Sequence, residues 1–188
     1  MFILIPMIIF LCEIFRFKDN PLENISITLL GLVWIILFLE KIVFIRNIEG
    51  GMELTFCMFF AVWSCDSAAF YFGSRFGKKK ILPQISPNKT WVGTLSGLLF
   101  SILIVFLFNY YNFIHLDLKY IDIIILGSIF GGIGQLGDFF ESMFKRELGI
   151  KDSSTLLRGH GGVLDRFDSL FFVIPSFYFY LICKFPII

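Results

Sequence analysis

Apolar stretches long enough to cross a bilayer recur along this chain, and they leave it few folds to adopt. They cover residues 1–15, 25–46, 54–72, 92–113, 121–140 and 169–187, and charged loops separate them. A helix needs roughly 20 apolar residues to span the hydrocarbon core. The expected fold is all-α, a polytopic integral membrane helical bundle of about six transmembrane helices. Two stretches fit least well: 1–15 is short and carries Glu13, and 25–46 ends around Glu40 and Lys41. Composition agrees with lipid as solvent. The chain is 57% hydrophobic with 26 Phe, against about 45–50% apolar residues in a soluble domain. Its net charge of +1 offers no global basic bias toward nucleic acid.

The basic residues orient the bundle. If loops 16–24, 73–91 and 141–168 share one face, that face holds twelve of the sixteen Lys and Arg residues. Lys41, Arg46, Lys119 and Lys184 are left on the other. The richer face is expected to be cytoplasmic. Six spans put both termini outside. An even number of crossings separates the two large polar loops, so they can build one site. The start, apolar over 2–10, lacks a basic leader and a small-residue cleavage site and reads as a retained span or anchor. Cys12, Cys57, Cys65 and Cys183 lie scattered in apolar runs with no CxxC pair, as small buried hydrophobes do rather than zinc ligands or a disulfide framework.

Chemistry concentrates in 134–169. Asp138, Glu141 and Lys145 fall at i, i+3 and i+7 on one helix face, and Asp165 and Asp168 repeat the i, i+3 spacing at the head of the last span. Two such helix ends could present three or four carboxylates to a divalent cation, and hard oxygen ligands suit magnesium. The plain alternative is a solvated loop with helix caps. Two features argue against it. Asp138 lies in an otherwise apolar stretch, where an acid is costly and has a partner or a role. The run Arg158-Gly159-His160-Gly161-Gly162 lets backbone approach a ligand closely, as a phosphate nest requires. His160 alone reads first as a structural hydrogen-bonding residue.

A second polar segment covers 66–93. Asp66 is again an acid within a span and should face the bundle interior. Gly73 and Gly77 flank Arg75, and Lys78, Lys79 and Lys80 follow; Lys79 and Lys80 read as an ordinary charged loop. Ser86-Pro87-Asn88-Lys89-Thr90 joins a proline-fixed turn to hydroxyl and ammonium donors at the head of a span, suited to an anion. Glu40, Asp117 and Asp122 are expected at interfaces or in outer loops, and His115 at the surface. Trp34, Trp63 and Trp91 read as packing or interfacial aromatics.

These residues carry a resemblance. Ser142-x-x-Lys145-Arg146-x4-Lys151-Asp152, followed by Gly159-His160-Gly161-Gly162-x-x-Asp165-Arg166-x-Asp168, resembles over 27 positions the C-terminal motif of the phosphatidate cytidylyltransferases (CDP-diacylglycerol synthases). Asp66, Gly73, Gly77-Lys78, Pro83 and Ser86-Pro87-x-Lys89-Thr90-Trp91 resemble that family's upstream stretch in order and spacing. The likeness covers about 60–185. It divides the chain into N-terminal membrane helices over 1–50, too generic to assign, and a cytidylyltransferase-like catalytic domain over 51–188. Phe70 stands where a Tyr is common and Val92 where a polar residue is frequent. The chain is shorter than usual bacterial members, with fewer spans expected at its start.

The resemblance implies transfer of CMP from CTP to phosphatidic acid, giving CDP-diacylglycerol and pyrophosphate with Mg2+, and a second cation such as K+. It implies Asp138 and Asp165 as metal ligands, with Glu141 and Asp168 supporting or coordinating. Lys145, Arg146, Lys151 and Arg166 would neutralise the triphosphate. Ser86, Lys89 and Thr90 would steady a phosphate, and Arg75, Lys78, Ser142, His160, Gly161 and Gly162 complete the phosphate-binding set. Apolar, Phe-rich faces beside Asp66 and Asp138 would form a lateral cleft for acyl chains. A homodimer and a bacterial inner-membrane location, with the site at the cytoplasmic face, are further implications. The rivals are a polyprenol kinase or an archaeol-type cytidylyltransferase, and, from another class, a small ion-coupled transporter. Transport residues gather near the midplane, whereas the charges here sit at span ends.

Overall fold

The computed structural model describes residues 4–16, 20–114, 116, 118–150, 153–154, 162 and 164–185. Among these the secondary structure is helical, with one isolated antiparallel bridge between Lys80 and Thr90. Helix α1 is Leu4–Arg16. Five longer helices follow: α2 (Pro21–Asn47), α3 (Gly51–Phe76), α4 (Trp91–Tyr110), α5 (Tyr120–Glu147) and α6 (Leu164–Lys184). All five are long and apolar enough to cross a membrane, and helices are the natural solution there because each satisfies its own backbone groups. The chain is an integral membrane protein.

Five of the six expected stretches therefore become spans. The sixth, 1–15, forms the 13-residue α1, about 20 Å long at 1.5 Å per residue and short of a ~30 Å core. Helix α2 does not stop at Glu40 and Lys41, because these pair with each other at 2.6 Å while the helix continues to Asn47. With either count, loops 77–90 and 148–163 lie at the same face. A direct contact joins that face, since Arg146 Nε donates to Ile85 O at 3.2 Å.

Helices α3 to α6 make the core. Leu54, Met58, Ala61 and Val62 of α3 meet Val105 of α4, Ile123, Leu126 and Phe130 of α5, and Val173, Ile174 and Phe177 of α6. Trp34 brings α2 onto this bundle, its ring 5.3 Å from those of Phe140 and Phe171 and 5.6 Å from Phe144. That is the packing role expected of it. The outer faces carry Phe60, Trp63, Phe70, Leu95 and Leu99, side chains at home in hydrocarbon. Cys57 and Cys65 are buried as expected, whereas Cys12 and Cys183 lie on the outside.

Asp122 departs from the expectation of an interfacial or outer-loop acid. It is 2% exposed. Its carboxylate accepts from Lys119 N at 2.8 Å, from Tyr180 Oη at 2.6 Å and from Lys184 Nζ at 2.6 Å on both oxygens. It caps α5 and ties it to the end of α6.

Candidate active site

Two close helix crossings position the polar residues. A Cβ on Gly93 of α4 would lie 2.6 Å from Ala69 O and 3.2 Å from Gly73 Cα of α3. Only small residues let the backbones approach this far. The head of α4 is consequently pressed against α3. Thr90 caps it, its hydroxyl accepting from Gly93 N at 3.2 Å. Loop 77–90 folds back as a short hairpin, with Trp91 N donating to Lys79 O at 3.1 Å and Ile81 N to Lys89 O at 3.2 Å. This delivers Lys89 inward, where it pairs with Asp138 and lies 4.1 Å over the Phe139 ring.

The second crossing joins α5 to α6. A Cβ on Gly137 would lie 2.6 Å from Asp168 O and 3.2 Å from Phe172 Cδ2. Asp138, the next residue, is thereby held beside the head of α6. Asp66, Asp138 and Lys89 line one cavity, and Asp168 stands at the adjoining head of α6. Three helices thus contribute one acid each.

One turn along α5, Glu141 is 2% exposed. Lys145 Nζ stands between Glu141 Oε2 at 3.0 Å and Asp165 Oδ1 at 2.9 Å. Apart from that ion pair, both Glu141 oxygens lack a hydrogen-bond partner among the described residues. Asp165 is fully engaged. It accepts from Lys145, from Ser153 N at 3.2 and 3.1 Å, and from Gly162 N at 2.5 Å. It pins the described parts of loop 148–163 to the head of α6.

A cavity of about 440 Å³ opens between α3 and the head of α4. Asp66, Lys80, Asn88, Lys89, Gln135 and Asp138 supply its polar lining, and Gly73, Gly77 and Gly93 its bare backbone. Buried Gln135 is fixed by donating to Thr94 O at 3.2 Å.

The expected site residues divide between these features. Asp138, Glu141, Lys145, Asp165, Asp168, Lys89 and Thr90 gather as described, and Gly162 contributes its N–H to Asp165. Ser142 and Ser86 are half-buried, and Ser86 N closes a turn on Leu82 O at 2.9 Å. Arg75 and Lys78 are exposed at the end of α3, with Arg75 5.9 Å from the Phe76 ring centroid. Arg146 and Arg166 are exposed on the same face. Lys151, His160 and Gly161 lie outside the described residues, as do Arg158, His115 and Asp117.

No three His, Cys, Asp or Glu side chains form a ready metal-binding group among the described residues. Lys89 and Lys145 occupy the positions between the acids instead. The donor type still suits a hard cation, because the carboxylates of Asp66 and Asp138 line one cavity and buried Glu141 Oε1 has no hydrogen-bond partner among the described residues.

The comparison with family models matches the Cytidylyltransferase family over residues 1–184. The chain belongs to this family. A phosphatidate cytidylyltransferase of Haemophilus influenzae is 46% identical over 133 residues, covering 69% of this chain and 46% of that protein. Proteins of the same name from Bacillus subtilis and Staphylococcus haemolyticus are 36% and 38% identical, covering 85% and 86% of this chain and 59% and 58% of theirs. The chain spans about half the length of these curated relatives. Asp66 was expected to face the bundle interior and is instead exposed where it lines the cavity, because that cavity is open; Gln135 and Asn88 were not picked out for the site. Gln135 was findable, because it precedes Asp138 by three and shares its helix face.

Proposed function

We propose that this cytidylyltransferase-family chain transfers CMP from CTP to phosphatidic acid, forming CDP-diacylglycerol and pyrophosphate. The observation that carries the reading is the polar cavity at the loop-bearing face that Asp66, Asp138 and Lys89 line together, with Lys89 paired to Asp138 and the head of α6 that carries Asp168 packed against Gly137. The names of the relatives and the 142–168 motif support it. The richer basic face, with twelve of sixteen Lys and Arg, is the cytoplasmic one on this reading. The bacterial relatives suggest the inner membrane. CTP then arrives from water and the lipid from the bilayer.

In the reaction, an oxygen of the lipid phosphate attacks the α-phosphorus of CTP. The bond to the bridging oxygen breaks, and pyrophosphate leaves with the electron pair. The attacking phosphate is already ionised, so no strong base is required. The difficulty is the approach of two anions, which positive charge relieves. Asp138 and Asp168, with Asp66 and Glu141, would hold Mg2+, which supplies charge neutralisation to the phosphates when bound. Lys89, drawn off Asp138, meets a phosphate in the cavity that both residues line. Lys145, held by Glu141 and Asp165, directs its charge toward the leaving group. Asp165 acts as the anchor of the loop and of Lys145.

The test is direct. Purified protein in detergent is given phosphatidic acid, Mg2+ and cytidine-labelled CTP. The expected result is label in a nucleotide-bearing lipid. Label in soluble CDP alone would make the chain a lipid kinase and overturn the proposal.

A further inference from the structure

Three helix irregularities meet at one place on the lipid-facing side. A π-helical turn, Val33–Leu37, interrupts α2 just before Phe38. A second, Ile129–Ile133, interrupts α5. Pro175 lies inside α6. Wide turns and mid-helix prolines spoil regular packing, and π-turns concentrate at functional sites. Phe38, Ile129, Ile133, Phe172, Pro175 and Phe179 share the walls of one apolar cavity of about 590 Å³.

The near end of this groove touches the candidate site. Phe172 follows Asp168 by one turn, its ring lies 5.2 Å from that of Phe140, and it fills the space a Cβ on Gly137 would take. The walls then follow α6 to Cys183. From Asp168 to Cys183 the helix rises about 22 Å, more than the ~15 Å that half a hydrocarbon core provides. The far end is bounded by Tyr180, whose hydroxyl is fixed on Asp122 at 2.6 Å. The polar cavity lies on the other flank, between α3 and α4, and Asp138 borders it. The apolar groove thus begins at Phe172, one turn along α6 from Asp168, while Asp66 and Asp138 line the polar cavity.

We propose that the apolar groove holds one acyl chain of the lipid phosphate, with Tyr180 and Cys183 setting the longest chain accepted. This rests on the reaction proposed above and places the acyl chain on the α2–α5–α6 side, where the expectation had it beside Asp66 and Asp138. Continuity with Asp168 favours a substrate chain over bulk lipid, because a phosphate at the acids leaves its chain one turn from Phe172. A chain too short to reach Phe179 leaves apolar surface unfilled and binds more weakly.

The experiment uses the full chain in nanodiscs and phosphatidic acid bearing a diazirine at the end of a long acyl chain. After irradiation, adducts are expected within 176–183 and 129–133, removed by excess unlabelled long-chain phosphatidic acid. Adducts on the Phe70 and Trp91 side, adducts that phosphatidic acid does not compete, or cross-links between two copies would each overturn the proposal. Binding is read without turnover. Competed adducts with no nucleotide-bearing lipid would support the groove and count against the reaction; product with adducts elsewhere would do the reverse. A Cys183→Trp variant should lower the ratio of kcat/KM for long over short chains by on the order of tenfold. An unchanged ratio would contradict the length limit.

Discussion

The two faces of the bundle carry the same residue types and use them differently. At the far face, Asp122 is enclosed by a backbone N–H, a tyrosine hydroxyl and a lysine that reaches both of its oxygens. At the loop-bearing face, Lys89 pairs with Asp138, and Lys145 is shared by Glu141 and Asp165. A cavity opens there onto Asp66 and Asp138. A carboxylate within a bundle is tolerated when its partners are complete, as at Asp122. Asp122 has its partners in place, whereas Asp66 and Asp138 open onto a cavity.

This contrast can be broken most forcefully at Asp138 and Asp168. Changing either to Asn should lower transfer by a factor on the order of 10³ or more, the scale of losing metal-assisted charge stabilisation. Membrane insertion and elution in detergent should persist, and near-normal turnover by either purified variant would refute the assignment. Lys145→Met comes next. It leaves buried Glu141 without its cation and Asp165 with only its backbone N–H donors, and should cost about 3–5 kcal/mol of stability, read as a lower unfolding temperature in detergent. Adding Glu141→Gln should recover part of that loss without restoring transfer.

At the far face, Asp122→Asn should cost about 1–3 kcal/mol through weakened bonds to Tyr180 and Lys184. Folded protein should still form product, and complete loss would erase the distinction between the faces. The smallest effect is expected at Lys79, exposed on the loop and engaged through its backbone. Lys79→Gln should change stability by less than about 0.5 kcal/mol and leave the transfer assay as it was.

Much of this was legible in the sequence, because the bilayer imposes a strong length rule. The spans ending at Phe76, Tyr110 and Lys184 end close to the apolar stretches, whereas the one ending at Glu147 runs beyond its stretch through the polar residues 141–147. The i, i+3 spacing of Asp138 and Glu141 survives as one helix face. What stayed hidden was non-local. The N–H groups of Ser153 and Gly162 that the Asp165 carboxylate accepts from were not legible, because their approach depends on the fold of a loop. Asp122 looked like an outer-loop acid because its partner Lys184 is 62 residues away. The crossings at Gly93 and Gly137 depend on which helix lies opposite, which spacing within one helix does not encode. The π-turns of α2 and α5 leave hydrophobicity unchanged and have no visible signature.

Manganese binding tests the central claim most directly, because Mn2+ replaces Mg2+ among oxygen ligands and is read by electron paramagnetic resonance without turnover. Wild-type protein with CTP should bind Mn2+ at a site that weakens at least about tenfold in Asp138→Asn and in Asp168→Asn, and that Asp122→Asn leaves intact. Equal Mn2+ affinity in wild type and in both near-face variants would contradict the account.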